Sequence, residues 1–293
     1  MKTIDISEFS AEQAHCCTLC PRNCRTDRTE KAGFCGERAT ARIARAALHM
    51  WEEPCITGKL GSGTIFFSNC NLRCIFCQNY YISELDNGVE ISVSRFSEIC
   101  LDLQSRGASN INLVTPTHFV PLIIEGINLA KNNGLRIPIV YNSSGYESVD
   151  TLKLLDGIVD VYLPDFKYYS DEYAVKYSGC KDYFKYTEVA IEEMVRQKPK
   201  CVFDDNGRMI SGVIVRHMLI PGMEEDSKKI LKFLYDRYKN NIYYSIMNQY
   251  TPVRVCKYDC LNKRVTLEVY EEVIDYAWKI GIRKAFVQEE GTV

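Results

Sequence analysis

Cys70, Cys74 and Cys77 follow a short apolar run, Thr64–Phe67, that stops abruptly at Ser68-Asn69. Three thiols this close cannot all pair with one another, because one is always left over. A short loop can instead wrap them round one face of an iron–sulfur cluster, whose irons are held by Cys thiolates. A cubane [4Fe–4S] cluster has one iron more than this loop has cysteines, so one iron is left open. Electron carriers normally have every iron ligated, whereas an open iron is a place to bind substrate. The loop therefore predicts catalysis.

A second group lies upstream, where Cys16, Cys17, Cys20 and Cys24 are followed by Gly33-Phe34-Cys35-Gly36. This stretch has too few apolar residues to fold on a core of its own, and a bound metal would supply what the core lacks. Cys17, Cys20, Cys24 and Cys35 form a quartet able to close a structural site, either four-cysteine zinc or a fully ligated cluster. Iron–sulfur is favoured because the downstream loop already implies that chemistry, and Cys16 is an alternative to Cys17. Pro21 and Gly33 supply the turns. Cys256 and Cys260 have no third ligand nearby and read as two free thiols. Fourteen cysteines without an apolar leader segment point to metal or redox chemistry and to the cytoplasm, not to a disulfide framework.

With Phe76 just before the last ligand, Cys-X3-Cys-X2-Cys resembles the radical S-adenosylmethionine (SAM) signature. In that superfamily the amino and carboxylate groups of SAM chelate the open iron. The resemblance implies a [4Fe–4S] cluster and SAM as cofactors. It also implies an electron donor such as flavodoxin or ferredoxin.

What must position these residues is legible in the apolar pattern. The 293 residues are 46% apolar and 25% charged, ordinary globular composition. A net charge of −2 with scattered Lys and Arg gives no nucleic-acid footprint. No run approaches the roughly 18 apolar residues of a membrane span. Near-continuous apolar runs at 64–67, 111–115, 137–142, 158–163, 212–219 and 242–247 predict strands buried on both faces. Amphipathic segments at 94–106, 120–133, 148–155, 182–196, 226–238 and 267–280 predict intervening helices. This alternation predicts an α/β fold, a partial (β/α)6 TIM-type barrel, with a closing strand near Ala285–Gln288. Residues 1–47 are expected to form the Cys-rich module and 48–293 the barrel. Arg38–Ala47 reads as a connector or returning strand, and Gly61-Ser62-Gly63 as a flexible lead into the first barrel strand.

Chemistry in such barrels collects at the C-terminal strand ends. Those ends here carry Thr115, Thr117 and His118; Asn142 and Ser144; Asp165 and Lys167; Arg216 and Ile220; and Gln249. Tyr141, Tyr146, Tyr168 and Tyr250 are candidate wall residues. The ends resemble the pyruvate formate-lyase activating enzyme family. Cys77-Gln78-Asn79 is similar to that family's Cys-X-Asn, Asp165-Phe166-Lys167 to its Asp-X-Lys, and Ile220-Pro221-Gly222 to its fifth-strand ending beside the adenosine. The resemblance implies that Phe76, Asn79, Asp165, Lys167, Arg216 and Ile220 contact SAM or its surroundings. Two departures stand out. Thr115-Pro116-Thr117-His118 replaces the family's Gly-Gly-Glu, and Gln249-Tyr250 stands where relatives often carry a His. The expected activity is hydrogen abstraction from a protein or peptide, as in a glycyl-radical activase. A small-molecule substrate is the alternative, and a non-enzymatic electron carrier the remote one.

Overall fold

The computed structural model describes residues 5–85 and 87–288. Its strands are β1 (Ala41–His49), β2 (Ser62–Phe67), β3 (Val89–Ile91), β4 (Ile111–Val114), β5 (Ile139–Ser143), β6 (Val161–Pro164), β7 (Val202–Phe203), β8 (Met209–Met218), β9 (Tyr243–Met247) and β10 (Ala285–Val287). Its helices are α1 (Ile6–His15), α2 (Pro54–Thr57), α3 (Tyr80–Ser83), α4 (Val93–Ser105), α5 (Val120–Asn132), α6 (Val149–Lys153), α7 (Asp171–Ser178), α8 (Tyr183–Gln197), α9 (Glu224–Tyr238) and α10 (Leu267–Ile280).

The sheet runs β10-β9-β8-β6-β5-β4-β2-β1-β3, with β10 through β2 parallel and β1 and β3 antiparallel at one end. Each run expected as a strand is present, and the 285–288 run supplies β10. β5 and β6 are buried along their whole lengths, as near-continuous apolar runs require. The helices stop where turn chemistry directs. Thr266 caps α10 by accepting from the Val269 N–H, and Gly281 ends it at φ +109. This is a mixed α/β partial barrel, and its parallel strands deliver their C-terminal ends to one mouth.

Several features differ from expectation. Of the two readings of 38–47, connector or returning strand, the strand is present as β1, which runs on past that stretch as an antiparallel partner of β2 from Ile43↔Phe67 to His49↔Ser62. Ala41 and Ile43 face the core. The 47/48 boundary therefore falls inside a strand of the main sheet. Gly63 is no flexible lead: a Cβ there would lie 2.8 Å from the Asn110 carbonyl oxygen and 2.9 Å from the Ala108 Cβ. Glycine lets β2 lie against the 108–110 turn. α7 lies in a stretch with no expected element, although Ser170 caps it, Asp171 and Glu172 open it and Gly179 ends it at φ +54.

The Cys-rich module consists of α1 and a loop, residues 16–40, without regular structure until β1 begins. Buried Arg28 holds that loop together, donating to the carbonyls of Glu37, Arg38 and His118. Leu19 is buried, and its carbonyl accepts from Thr151 in α6. The module is thus fastened to the barrel through polar contacts to the backbone, in keeping with its shortage of apolar side chains.

Candidate active site

The cysteine loop leaves the C-terminal end of β2 and folds back over the barrel mouth. Ser68 and Asn69 turn the chain, with Asn69 at φ +60. The loop docks on α7 through Ile75 N–H to the Tyr177 carbonyl at 2.9 Å. Arg254 clamps it from the other side, donating to the Ile75 carbonyl at 3.0 Å while pairing with Glu84. Each sulfur has a donor. Leu72 N–H points at Cys70 Sγ (3.4 Å), Ser178 Oγ–H at Cys74 Sγ (3.0 Å) and Ser83 Oγ–H at Cys77 Sγ (3.2 Å). Burial raises the pKa of both Cys70 and Cys74, and Lys167 opposes the rise at each. Coordination would reverse it, because a metal deprotonates its thiol ligands outright. Three free thiols on one loop, each facing a donor and two of them near the half-buried Lys167 cation, fit thiolate ligands of a cluster.

A cavity of about 300 Å³ lies against the loop. Its walls include Cys70, Cys74, Cys77, Phe76 and Asn79 from the loop and Thr115, Asn142, Ser144, Asp165, Lys167, Arg216 and Gln249 from five strand ends. These are site residues expected from sequence, and the fold brings them to one place. Arg216 organises the charges. It donates to Asp165 Oδ1 at 2.9 Å, to Asn142 Oδ1 at 3.0 Å and to Glu52 Oε2 at 3.4 Å. Lys167 pairs with Asp165 Oδ2 at 2.5 Å. Burial works against the Asp165 charge, but the Arg216 and Lys167 cations overcome it and leave the carboxyl below its usual range. Gly145 makes this packing feasible. At φ +74, its missing Cβ would fall 2.2 Å from the Asp165 carbonyl oxygen.

Other expectations need correction. Thr117, His118 and Ile220 do not line the cavity. A tight turn over Thr117–Phe119 carries the chain underneath the cysteine loop. Thr117 donates to Glu147 at 2.7 Å, and His118 Nε2–H donates to the Ser68 carbonyl at 2.8 Å. Burial, aided by Arg28, lowers His118 to about 3, so it stays neutral and holds the loop's base. Ile220 is buried in the core. The four tyrosines are also absent from the walls. Their hydroxyls or rings are used by Glu147 (Tyr141), Tyr183 and Arg22 (Tyr146), Ser178 (Tyr168) and the Leu261 carbonyl (Tyr250). Thr115 does face the cavity, at φ +57, a backbone region costly for a β-branched residue.

Sequence reasoning missed three groups here. Glu52 enters the cavity wall from the segment after β1, and burial, partly offset by Arg216, raises it to about 7. Ser178 reaches Cys74 from the end of α7. Glu147 lies fully buried under the mouth, bound by Thr117 and by Tyr141 at 3.2 Å, and burial lifts it to about 7 from 4.5. Its unfolded form loses the proton first, so stability falls as pH rises through the window from 4.5 to about 7. Glu147→Gln, which mimics the protonated acid, should abolish a fall of about 3 kcal/mol. Denaturant titrations at a series of pH values would measure it, and an unchanged slope would refute the assignment.

In the module, Cys17 is buried and Cys20, Cys24 and Cys35 are half-buried, while Cys16 is exposed at the end of α1. The structure thus separates Cys17 from its neighbour. Among the described residues, no three His, Cys, Asp or Glu side chains converge closely enough to hold a single metal ion. Cubane ligands need no such convergence, since each thiolate takes its own iron.

Residues 64–234 match the family model of the Radical SAM superfamily. An uncharacterized protein of Methanocaldococcus jannaschii is 28% identical over 277 residues, which cover 91% of this chain and 75% of that protein. Among solved structures, the chain is similar to the [FeFe]-hydrogenase maturase HydG of Carboxydothermus hydrogenoformans (TM-score 0.53, 11% identity, 77% of this chain and 53% of that one). It is also similar to methylornithine synthase (0.51, 15%, 76% and 63%). A third likeness is to Streptococcus suis SuiB bound to its precursor peptide SuiA (0.51, 11%, 76% and 47%). The chain spans about half the length of HydG and SuiB. At these identities the likeness is one of fold. Among the described residues, no helix is long and apolar enough to cross a membrane.

Proposed function

This chain belongs to the radical SAM superfamily, and on that premise we propose that it abstracts hydrogen from a protein or peptide substrate. The family implies a [4Fe–4S] cluster and SAM. Cys70, Cys74 and Cys77 would hold the cluster, leaving one iron for the amino and carboxylate groups of SAM. When bound, the two cofactors supply a 5′-deoxyadenosyl radical, and the protein's part is orientation and exclusion of water. Phe76 and the strand-end polar groups shape the SAM pocket. Lys167 offers the cation for a carboxylate, with Asp165 and Arg216 fixing its position. Glu52, Thr115 and Asn142 supply oxygens for the amino group, in place of the acidic residue absent from the second strand end.

The observation that carries the substrate reading is the size of the cavity. Its volume of about 300 Å³ is at the low end of the roughly 300–1,000 Å³ that one drug-sized ligand occupies. SAM would fill most of it. A substrate then reaches the radical as a projecting residue of a larger chain, past exposed Trp51 at the cavity's edge. We assign the reaction to the cytoplasm, with a flavodoxin or ferredoxin as donor.

The test uses reconstituted enzyme, SAM and a reductant with deuterated cell extract, split by size into retentate and filtrate. Deuterium in 5′-deoxyadenosine from the retentate alone is the expected result. Label from the filtrate alone would overturn the macromolecular reading, and absence of 5′-deoxyadenosine under any condition would overturn the enzyme reading.

A further inference from the structure

One strand beside the cavity has an open edge. β1 pairs with β2 from Ile43 to His49, whereas β3 covers its other side only from Ala41 to Ile43. The register slips between Ile43 and Arg45, where the covered half gives way to the open one. The bonds of β2 fix which groups the open half presents. Gly63 turns its N–H away from β1, to the Asn110 carbonyl at 3.0 Å. Backbone groups alternate sides along a strand, so Ser62 and Thr64 turn toward β1 and their register partners His49 and Ala47. Ala46 and Leu48 then point N–H and C=O outward, and no group among the described residues meets them.

The open edge leads to the chemistry. Ala46 and Leu48 pack their side chains against the core. Arg45, Ala47 and His49 alternate to the opposite face, where the His49 ring meets Phe66 edge-on at 6.2 Å and both line the cavity. The chain then continues into Trp51 and Glu52, which also belong to the cavity wall. An extended segment laid along Ala46 and Leu48 would place every second side chain on the cavity side.

We propose that the substrate protein or peptide docks by adding an extended segment to β1 as one more strand, bonded to the backbone of Ala46 and Leu48. The proposal rests on the macromolecular reading above and says how that substrate is held. Main-chain hydrogen bonds to a sheet edge supply affinity, and alternate side chains supply specificity. Edge strands are ordinarily guarded by charge, proline or a covering segment. From Ala46 to His49 the chain has no proline and no Lys, Arg, Asp or Glu. Arg45, exposed and without an ion pair among the described residues, stands at the near end, so the segment carries an acidic residue there. With its backbone on β1 and one side chain in the cavity, the segment brings a single residue to the radical.

Hydrogen exchange of the reconstituted enzyme, resolved by electron-transfer fragmentation, reads the edge directly. The Ala46 and Leu48 amides should exchange at least about a hundredfold faster than those of Ala47 and His49. Protection at every concentration would mean that the chain covers its own edge, and protection lost on dilution that a second copy does. Either result overturns the proposal. Ala46→Pro removes one outward N–H and spares the β1–β2 ladder, which retained protection at Ala47 and His49 verifies. Enzymes matched for iron then receive SAM, reductant and the retentate of deuterated cell extract. Ala46→Pro should cut deuterium transfer to 5′-deoxyadenosine by about tenfold. Arg45→Glu, which alters only an exposed side chain, should cut it comparably at low salt, with the difference closing at high salt. Wild-type transfer by Ala46→Pro would overturn the added strand, and by Arg45→Glu alone the acidic segment. If Ala46→Pro loses the ladder, Arg45→Glu decides alone. A wild type that takes no label from the retentate would instead count against the macromolecular reading.

Discussion

Cys74→Ala is expected to reduce 5′-deoxyadenosine formation to background, a loss of roughly 10³-fold or more. Cys74 is the buried member of the loop, at 9% exposure, so solvent cannot readily replace its sulfur as a ligand. Two thiols would remain for a cluster that already lacks one protein ligand. Ser178→Ala separates ligation from tuning at the same sulfur. It removes the 3.0 Å hydrogen bond to Cys74 Sγ and leaves the thiolate. Its cluster should form in full, with a more negative potential, because hydrogen bonds to cluster sulfurs favour the reduced state. Iron content, the reduced-state resonance spectrum and 5′-deoxyadenosine yield measure all three effects. Wild-type yield from Cys74→Ala would refute the ligand assignment.

The sequence and the structure agree most where the information is local or periodic. Three cysteines within eight positions define a loop whatever surrounds it. Apolar runs of strand length name the strands that must be buried on both faces. Parallel strands then bring Asn142, Asp165, Lys167 and Arg216 to one mouth, since all their C-terminal ends point the same way. The reading weakens just beyond the strand ends. There a single tight turn decides between Thr115, which faces the cavity, and His118, which props the loop from beneath.

Contacts between distant segments were not legible. Ser178 meets Cys74 across 104 residues and Glu52 meets Arg216 across 164. Neither pairing leaves a mark in composition or spacing. The tyrosines misled for a related reason. An amphipathic side chain at a strand end looks like a cavity wall, but a buried hydroxyl must find a partner, and Glu147, Ser178 and the Leu261 carbonyl were available. The quartet is an intermediate case. Its spacing predicts a metal site, and what the fold adds is Phe34 wedged between arginines of both cysteine groups.

Arg216→Met should be the most destabilising change at the mouth, at about 3 kcal/mol near neutral pH. The methionine fills similar space but leaves Asp165 and Glu52 largely buried without the guanidinium between them. Lys167 still neutralises part of the Asp165 charge, which keeps the loss from being larger. The pH dependence identifies the cause. In the wild type Asp165 is held below its ordinary 3.8, so its contribution is complete above that pH and is lost as pH falls through the lowered value. Without Arg216, burial dominates and both carboxyls prefer to be protonated. The variant's deficit should therefore shrink as pH falls below neutrality, whereas a simple packing defect would persist. Arg216→Lys should recover little, because one ammonium cannot serve Asp165, Asn142 and Glu52 together. Denaturant titrations near pH 7.5 and pH 5 distinguish the two accounts. An equal deficit at both pH values would mean that Arg216 stabilises the mouth by packing alone.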